Sequence, residues 1–329
     1  MINKNSSVSQ KRNIRFKPKR QIFILFISIL VLFLIQGVLR PGSVTLGQTM
    51  NITRQSSALG IVVLGQALVI LAGGIDLSVG SVVTLTNVFA VSIMRGQDKN
   101  FIPAVFVCLA MGITCGVING VGVIKLKIAP FIMTLCTMSI LQGVCLVYTK
   151  GSPSGNVSPV LKKLGNGFIF EVFPYSTIIW IFLALAVWLA LSRTTFGRKI
   201  YAVGGNASAA RLSGINADAI KFSTYILSST LAAVAGMVAS GYIGTTSLTL
   251  GSDYITNSLA AVLIGGNAIE GGKGGVWGVV LGTFFMMLLF AILTMINIGE
   301  VGKLIIQGVI IFSVVAGQGL LKNRKELMA

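Results

Sequence analysis

The sequence contains no histidine and only eight aspartate and glutamate residues in 329. Without histidine there are no His-based triads, no imidazole metal ligands and no imidazole proton relays. The four cysteines, Cys108, Cys115, Cys136 and Cys145, all lie in apolar stretches without CxxC spacing. They read as small membrane hydrophobes, not as a disulfide framework or a metal set. Charged residues make up 10% of the chain, where an ordinary soluble protein has roughly a quarter. The 26 basic residues give a net charge of +18, but most lie outside the apolar runs. That placement argues against a nucleic-acid partner, which needs basic residues along a groove or helix face. Catalytic motifs are missing too: there is no GxSxG elbow and no HExxH. The stretch from Gly266 to Gly274 invites a P-loop reading, but its spacing is one residue too long. Gly274 also stands where Ser or Thr must hold magnesium, so this chain binds no ATP in that way.

What the sequence has in quantity is long apolar runs. A helix crosses the hydrocarbon core with about 20 predominantly apolar residues. Ten stretches qualify: 22–39, 57–74, 77–94, 101–124, 128–148, 174–192, 222–242, 254–269, 275–298 and 302–321. The expectation is an all-α integral membrane protein with one transmembrane domain over 22–321. A basic tail, 1–21, precedes it and a short tail, 322–329, follows. The eighth stretch is the weakest, being short and flanked by glycine. With both termini in the cytoplasm, the inside segments hold 18 Lys/Arg and the outside segments 8, as the positive-inside rule asks.

Acidic residues near the spans are few. Asp76, after Gly73 and Gly74, and Glu270, after Gly265 and Gly266, each sit in a glycine-rich helix break. Two readings stand for Asp76: an ion or proton site at a discontinuous helix, or a cap for the third span. A proton-coupled carrier keeps ionisable groups at its midplane, and none is evident. The energy for uphill movement is therefore expected to come from outside this chain. Gly112, Gly116 and Gly120, and again Gly274, Gly278 and Gly282, form ladders that allow close helix approach. Neutral polar residues recur at helical spacing: Ser81, Thr84 and Asn87 on the third span, then Thr134 and Thr137 on the fifth. Together with Asn119 and Asn257 they suit the passage of an uncharged, hydroxyl-rich solute. The alternative is hydrogen bonding between helices.

The longest cytoplasmic loop is 193–221. Asn206 is a good N-cap and Gly214 a good C′ residue, so a short Ala-rich helix over 207–213 is expected between them. A capped helix outside the membrane suits docking into a groove of a partner, although a plain loop helix reads the same way.

Several stretches, in this order, resemble the ribose-type permeases of bacterial ABC sugar importers. They are Gly74-Ile-Asp-Leu-Ser-Val-Gly-Ser81, Ala129-Pro-Phe-Ile-Met-Thr-Leu135, Gly197-Arg198 with Tyr201 to Asn206, Ala210-Arg-Leu-Ser-Gly-Ile215, and Ala260 to Gly266 with Gly271 to Gly274. The likeness covers about residues 50–320. It implies a type II importer-like permease of about ten helices in the bacterial inner membrane, not an enzyme, working as a dimer with itself or a similar paralogue. Implied partners are a cytoplasmic ATP-binding subunit, which holds the ATP and magnesium, and a periplasmic sugar-binding protein. The permease itself binds no cofactor. Gly205, Asn206, Ala209, Ala210, Arg211, Leu212, Ser213 and Gly214 then form the element that couples to the ATPase. The chain departs from the pattern at Tyr254-Ile255-Thr256-Asn257, where the family usually has Tyr-Glu-Leu-Asp. A stand-alone carrier or facilitator for a small polar solute is the alternative, and a membrane-embedded enzyme a distant third.

Overall fold

The computed structural model describes residues 18–327. The greater part of the basic head and the last two residues, together with the charge count assigned to them, lie outside the described residues. Ten of the helices coincide with the ten expected spans: α1 (Pro18–Leu39), α2 (Leu46–Leu71), α3 (Val79–Met94), α4 (Phe101–Ile124), α5 (Pro130–Thr149), α7 (Tyr175–Arg193), α10 (Ala217–Ile243), α11 (Ser252–Ile264), α12 (Val276–Met295) and α13 (Glu300–Leu327). Three shorter helices, α6 (Pro159–Asn166), α8 (Thr195–Gly205) and α9 (Ala207–Leu212), fill the connections.

Eight of the ten are long and apolar enough to cross a membrane. The other two are shorter than the expected stretches 77–94 and 254–269. Helix α3 has 16 residues and α11 has 13, or about 24 and 20 Å of rise against a hydrocarbon core of about 30 Å. Both border glycine turns, Gly73-Gly74 before α3 and Gly265-Gly266 after α11. Irregular backbone at such depth survives only where protein covers it, and α3 is buried along nearly its whole length. The sequence marked the eighth span as short but gave no sign for the third, whose apolar run continues into the turn at Leu77 and Ser78.

Helices α2 and α10 are the central pillars. Thr45 Oγ1 caps α2 by accepting from Gln48 N, and Asn216 Oδ1 caps α10 by accepting from Ala219 N. From Ser56 to Leu71 every side chain of α2 is buried. Helix α10 packs against α2, α3, α4 and α6. Water does not drive apolar burial inside a bilayer, so close packing must supply the attraction. The glycine ladder on α4 does this: Gly112 lies against Ser229 and Ala233, Gly116 against Tyr225 and Ile226, and Gly120 against the Phe222 ring. The second ladder is shorter than expected. Gly278 and Gly282 pack on the carbonyls of Gly265 and Ala261, whereas Gly274 precedes α12 and meets Asn267 instead.

A small antiparallel hairpin, β1 (Phe168–Ile169) with β2 (Phe173–Pro174), joins α6 to α7. Apart from an isolated bridge between Asn156 and Thr245, it is the only strand pairing among the described residues, and it lies at the opposite end of the bundle from α8 and α9.

Candidate functional site

Helices α8 and α9 form the element that the sequence singled out. Thr194 Oγ1 caps α8 by accepting from Gly197 N at 3.3 Å, and Ile200 and Val203 turn inward and are fully or almost fully buried. The sequence reading expected only the second of these two helices. At Asn206 the backbone leaves the helix, and its Oδ1 accepts from Ala209 N at 2.9 Å to start α9. The helix stops at Leu212, one residue earlier than expected, because Gly214 adopts a left-handed φ of 79°. That conformation is cheap for glycine alone. Ala210 points inward, while Ala209, Arg211, Leu212 and Ser213 are exposed. Leu212 is 91% exposed, an arrangement that water disfavours and a partner's apolar groove would relieve. Arg211 Nη2 pairs with Asp218 Oδ1 at 2.6 Å, with both side chains more than half exposed, so the pair adds little stability. Removing the cap by Asn206→Ala is expected to cost about 1 kcal/mol, seen as faster hydrogen exchange at the α9 amides.

The base of this element is a junction of three glycine turns. Gly272 N donates to Leu71 O at 2.9 Å. Gly204, at the end of α8, sits so close that a Cβ there would strike the Leu71 carbonyl and Gly272 N. Gly73 faces Gly204 and the Glu270 carbonyl. Tyr201 Oη donates to Gly274 O at 3.1 Å, and burial pushes the Tyr201 phenol up, so it remains a donor. The end of α8 thus rests, backbone on backbone, on both helix breaks. Gly204 and Tyr201 were not among the expected site residues, although both stand in the Tyr201–Asn206 stretch.

Asp76 is 1% exposed, and the N-cap of α3 is Ser78, not Asp76. Its Oδ1 accepts from Ser78 N at 3.0 Å and Ser78 Oγ at 2.6 Å, and its Oδ2 accepts from Ser228 Oγ at 2.9 Å. Asn119 Nδ2 donates to Ser78 Oγ at 2.8 Å, and Asn119 Oδ1 accepts from Thr137 Oγ1 at 2.7 Å. This chain of bonds ties the start of α3 to α4, α5 and α10. A buried carboxylate is tolerable only with such donors.

The remaining polar residues disperse. Asn87 Nδ2 donates to Ser240 Oγ and Thr245 O, and its Oδ1 accepts from Ser247 N. Thr84 Oγ1 accepts from Gly251 N, Thr134 Oγ1 donates to Pro130 O of its own helix, and Ser81 is buried without a partner. Asn257 lines a cavity, a space of about 360 Å³ between α2, α10, α11, α12 and α13. Tyr254 lines it too, so the tetrapeptide that departs from the expected pattern forms part of its wall. A second space of about 370 Å³, at the α8 end, is lined by Trp188, Trp277 and the Gly265–Gly266 turn.

A bundle of long apolar helices, with α8 seated on its breaks and α9 exposed beyond it, defines a multi-pass membrane protein. Residues 48–315 match the family described as branched-chain amino acid transport system / permease component. The chain belongs to this family. It is 38% identical to the ribose import permease protein RbsC of Escherichia coli strain K12, over 91% of this chain and 93% of the relative. It is 32% identical to the galactose/methyl galactoside import permease protein MglC of the same strain, over 98% and 100%. With the fructose import permease protein FrcC of Rhizobium meliloti it shares 36%, over 78% and 74%. No solved structure matches the chain. The protein is a permease of the ribose-importer type, a transport subunit and not an enzyme.

Proposed function

We propose that this chain forms the translocation pathway of an ATP-driven importer for a monosaccharide. A periplasmic binding protein delivers the sugar, and a cytoplasmic ATP-binding subunit, which holds ATP and magnesium, drives the cycle. Both termini face the cytoplasm, in keeping with the 18-to-8 distribution of Lys/Arg. The pathway is completed by a second permease, either another copy of this chain or a paralogue. The sugar class is supported by the names of the relatives. The observation that carries the reading is the seating of the α8–α9 element: the end of α8 contacts the backbone of both helix breaks, and the capped α9 that follows it is exposed. Closure of the ATPase would shift α8 and α9 as a rigid body and move the breaks with them.

The seat is tested at Leu212, where a substitution disturbs no internal contact. Leu212→Glu is expected to insert and fold normally but to lose the ATPase during mild-detergent purification. The loss of a docked leucine is worth about 1.5–3 kcal/mol, so the affinity should fall roughly ten- to a hundredfold. Arg211→Glu is a poorer test, because it sets a glutamate beside Asp218. Wild-type recovery of the ATPase with Leu212→Glu would remove α9 from the interface. Sugar uptake by the chain alone in ATP-free liposomes would replace the importer with a carrier.

A further inference from the structure

The structure assigns the cavity beside Asn257 as a resting site for a neutral polyhydroxylated solute, with Asn257 setting its specificity. This rests on the transport reading above. Asn257 is 9% exposed, lines the cavity, and its Oδ1 is buried without a hydrogen-bond partner. An unpaired acceptor at such depth costs about 1–3 kcal/mol, a cost that a ligand hydroxyl removes. Arg54, on the same wall, has a buried Nε that is likewise unpaired. Its guanidinium is fixed in place over the rings of Phe168 and Tyr242, at 5.1 and 5.4 Å from their centroids. Asn257 and Arg54 thus each bring an unpaired polar atom, one acceptor and one donor, to the residues that line the cavity.

The rest of the lining narrows the class. Its charged residues are Arg54 and Lys303 against Asp253 and Glu300, which balance, and Lys303 Nζ bonds Glu300 Oε2 at 3.2 Å. A balanced wall gives an ionic solute no net attraction. Tyr242, Tyr254 and Phe290 supply aromatic surface for the C–H face of a ring. The volume, about 360 Å³, sits at the low end of small-ligand sites, roughly 300–1,000 Å³, which suits a single sugar ring.

The test uses the complex of permease, ATPase and binding protein in proteoliposomes, with radiolabelled ribose, galactose and fructose as probes. Asn257→Leu is expected to lower ATP-driven uptake by about tenfold, the effect of one lost hydrogen bond, while the complex is recovered in wild-type yield. Asn257→Asp is expected to change the ratio of uptake among the three sugars, which a purely structural residue would not do. If Asn257→Leu fails to assemble, Ala291→Phe, which fills the cavity from α12, must give the same loss. Wild-type rates and ratios in Asn257→Leu and Ala291→Phe would overturn the site and leave the importer reading standing. Wild-type complex that accumulates none of the three sugars would overturn the transport reading, and the site with it.

Discussion

Gly204→Ala is expected to abolish coupled uptake, although it adds one methyl group. The added carbon would strike the Leu71 carbonyl and Gly272 N. Neither can rotate away, because both are backbone atoms of turns that are bonded to each other at 2.9 Å. Overpacking of this kind costs about 1–3 kcal/mol, and the strain is relieved by separating α8 from the two breaks. The complex should still assemble and hydrolyse ATP, while uptake falls at least about tenfold. Gly205→Ala, the next residue and part of the expected coupling element, separates the contact from the element that carries it. Its added carbon meets nothing within 4 Å, and a glycine-to-alanine change at a compatible helical position is neutral or stabilises by about 0.4–1 kcal/mol. Near-normal uptake in Gly204→Ala would show that the glycine junction transmits nothing. Equal damage from both substitutions would trace the loss to the flexibility of α8, not to the contact.

The second large effect is expected at Asp76. Asp76→Ala leaves Ser78 N, Ser78 Oγ and Ser228 Oγ without their acceptor, all of them buried. Each orphaned donor costs about 1–3 kcal/mol, so a loss on the order of 3 kcal/mol or more is expected, read as a fall of several degrees in the Tm of detergent-solubilised protein. Asp76→Asn keeps one acceptor oxygen but turns an amide N–H₂ toward a donor, and should fall between alanine and wild type. Uptake should follow stability through this series. A variant Asp76→Asn that is stable but inactive would instead mark the carboxylate as an ion or proton site. It would also revive the secondary carrier, the alternative that the glycine-broken sequence around Asp76 left open.

Local signals in the chain were readable, and distant ones were not. The spans follow from apolar run length, and α9 follows from Asn206 and Gly214, two residues whose capping behaviour is set within four positions of chain. Helix α8 escaped because its inward residues, Ile200 and Val203, are too few to set up a period. The polar residues stood out in the sequence as candidates, but their partners sit far away in sequence. Asp76 meets Ser228 across 152 residues and Asn87 meets Ser240 across 153, so the sequence could not tell a bond between helices from a pathway wall. The Gly204 junction is backbone against backbone, and no side-chain pattern announces it.

Helix α11 also bears on how the protein is made. Its 13 residues include Asp253 and Asn257, and a polar residue at depth is costly in a lone helix. Such a segment is too short and too polar to enter the bilayer on its own. It becomes stable there only against α2, α12 and α13, two of which emerge from the ribosome after it. Biogenesis must therefore hold α11 near the membrane surface, or beside the insertion machinery, until the last two helices arrive. The wall that carries Asn257 and Tyr254 is then among the last parts of the molecule to form.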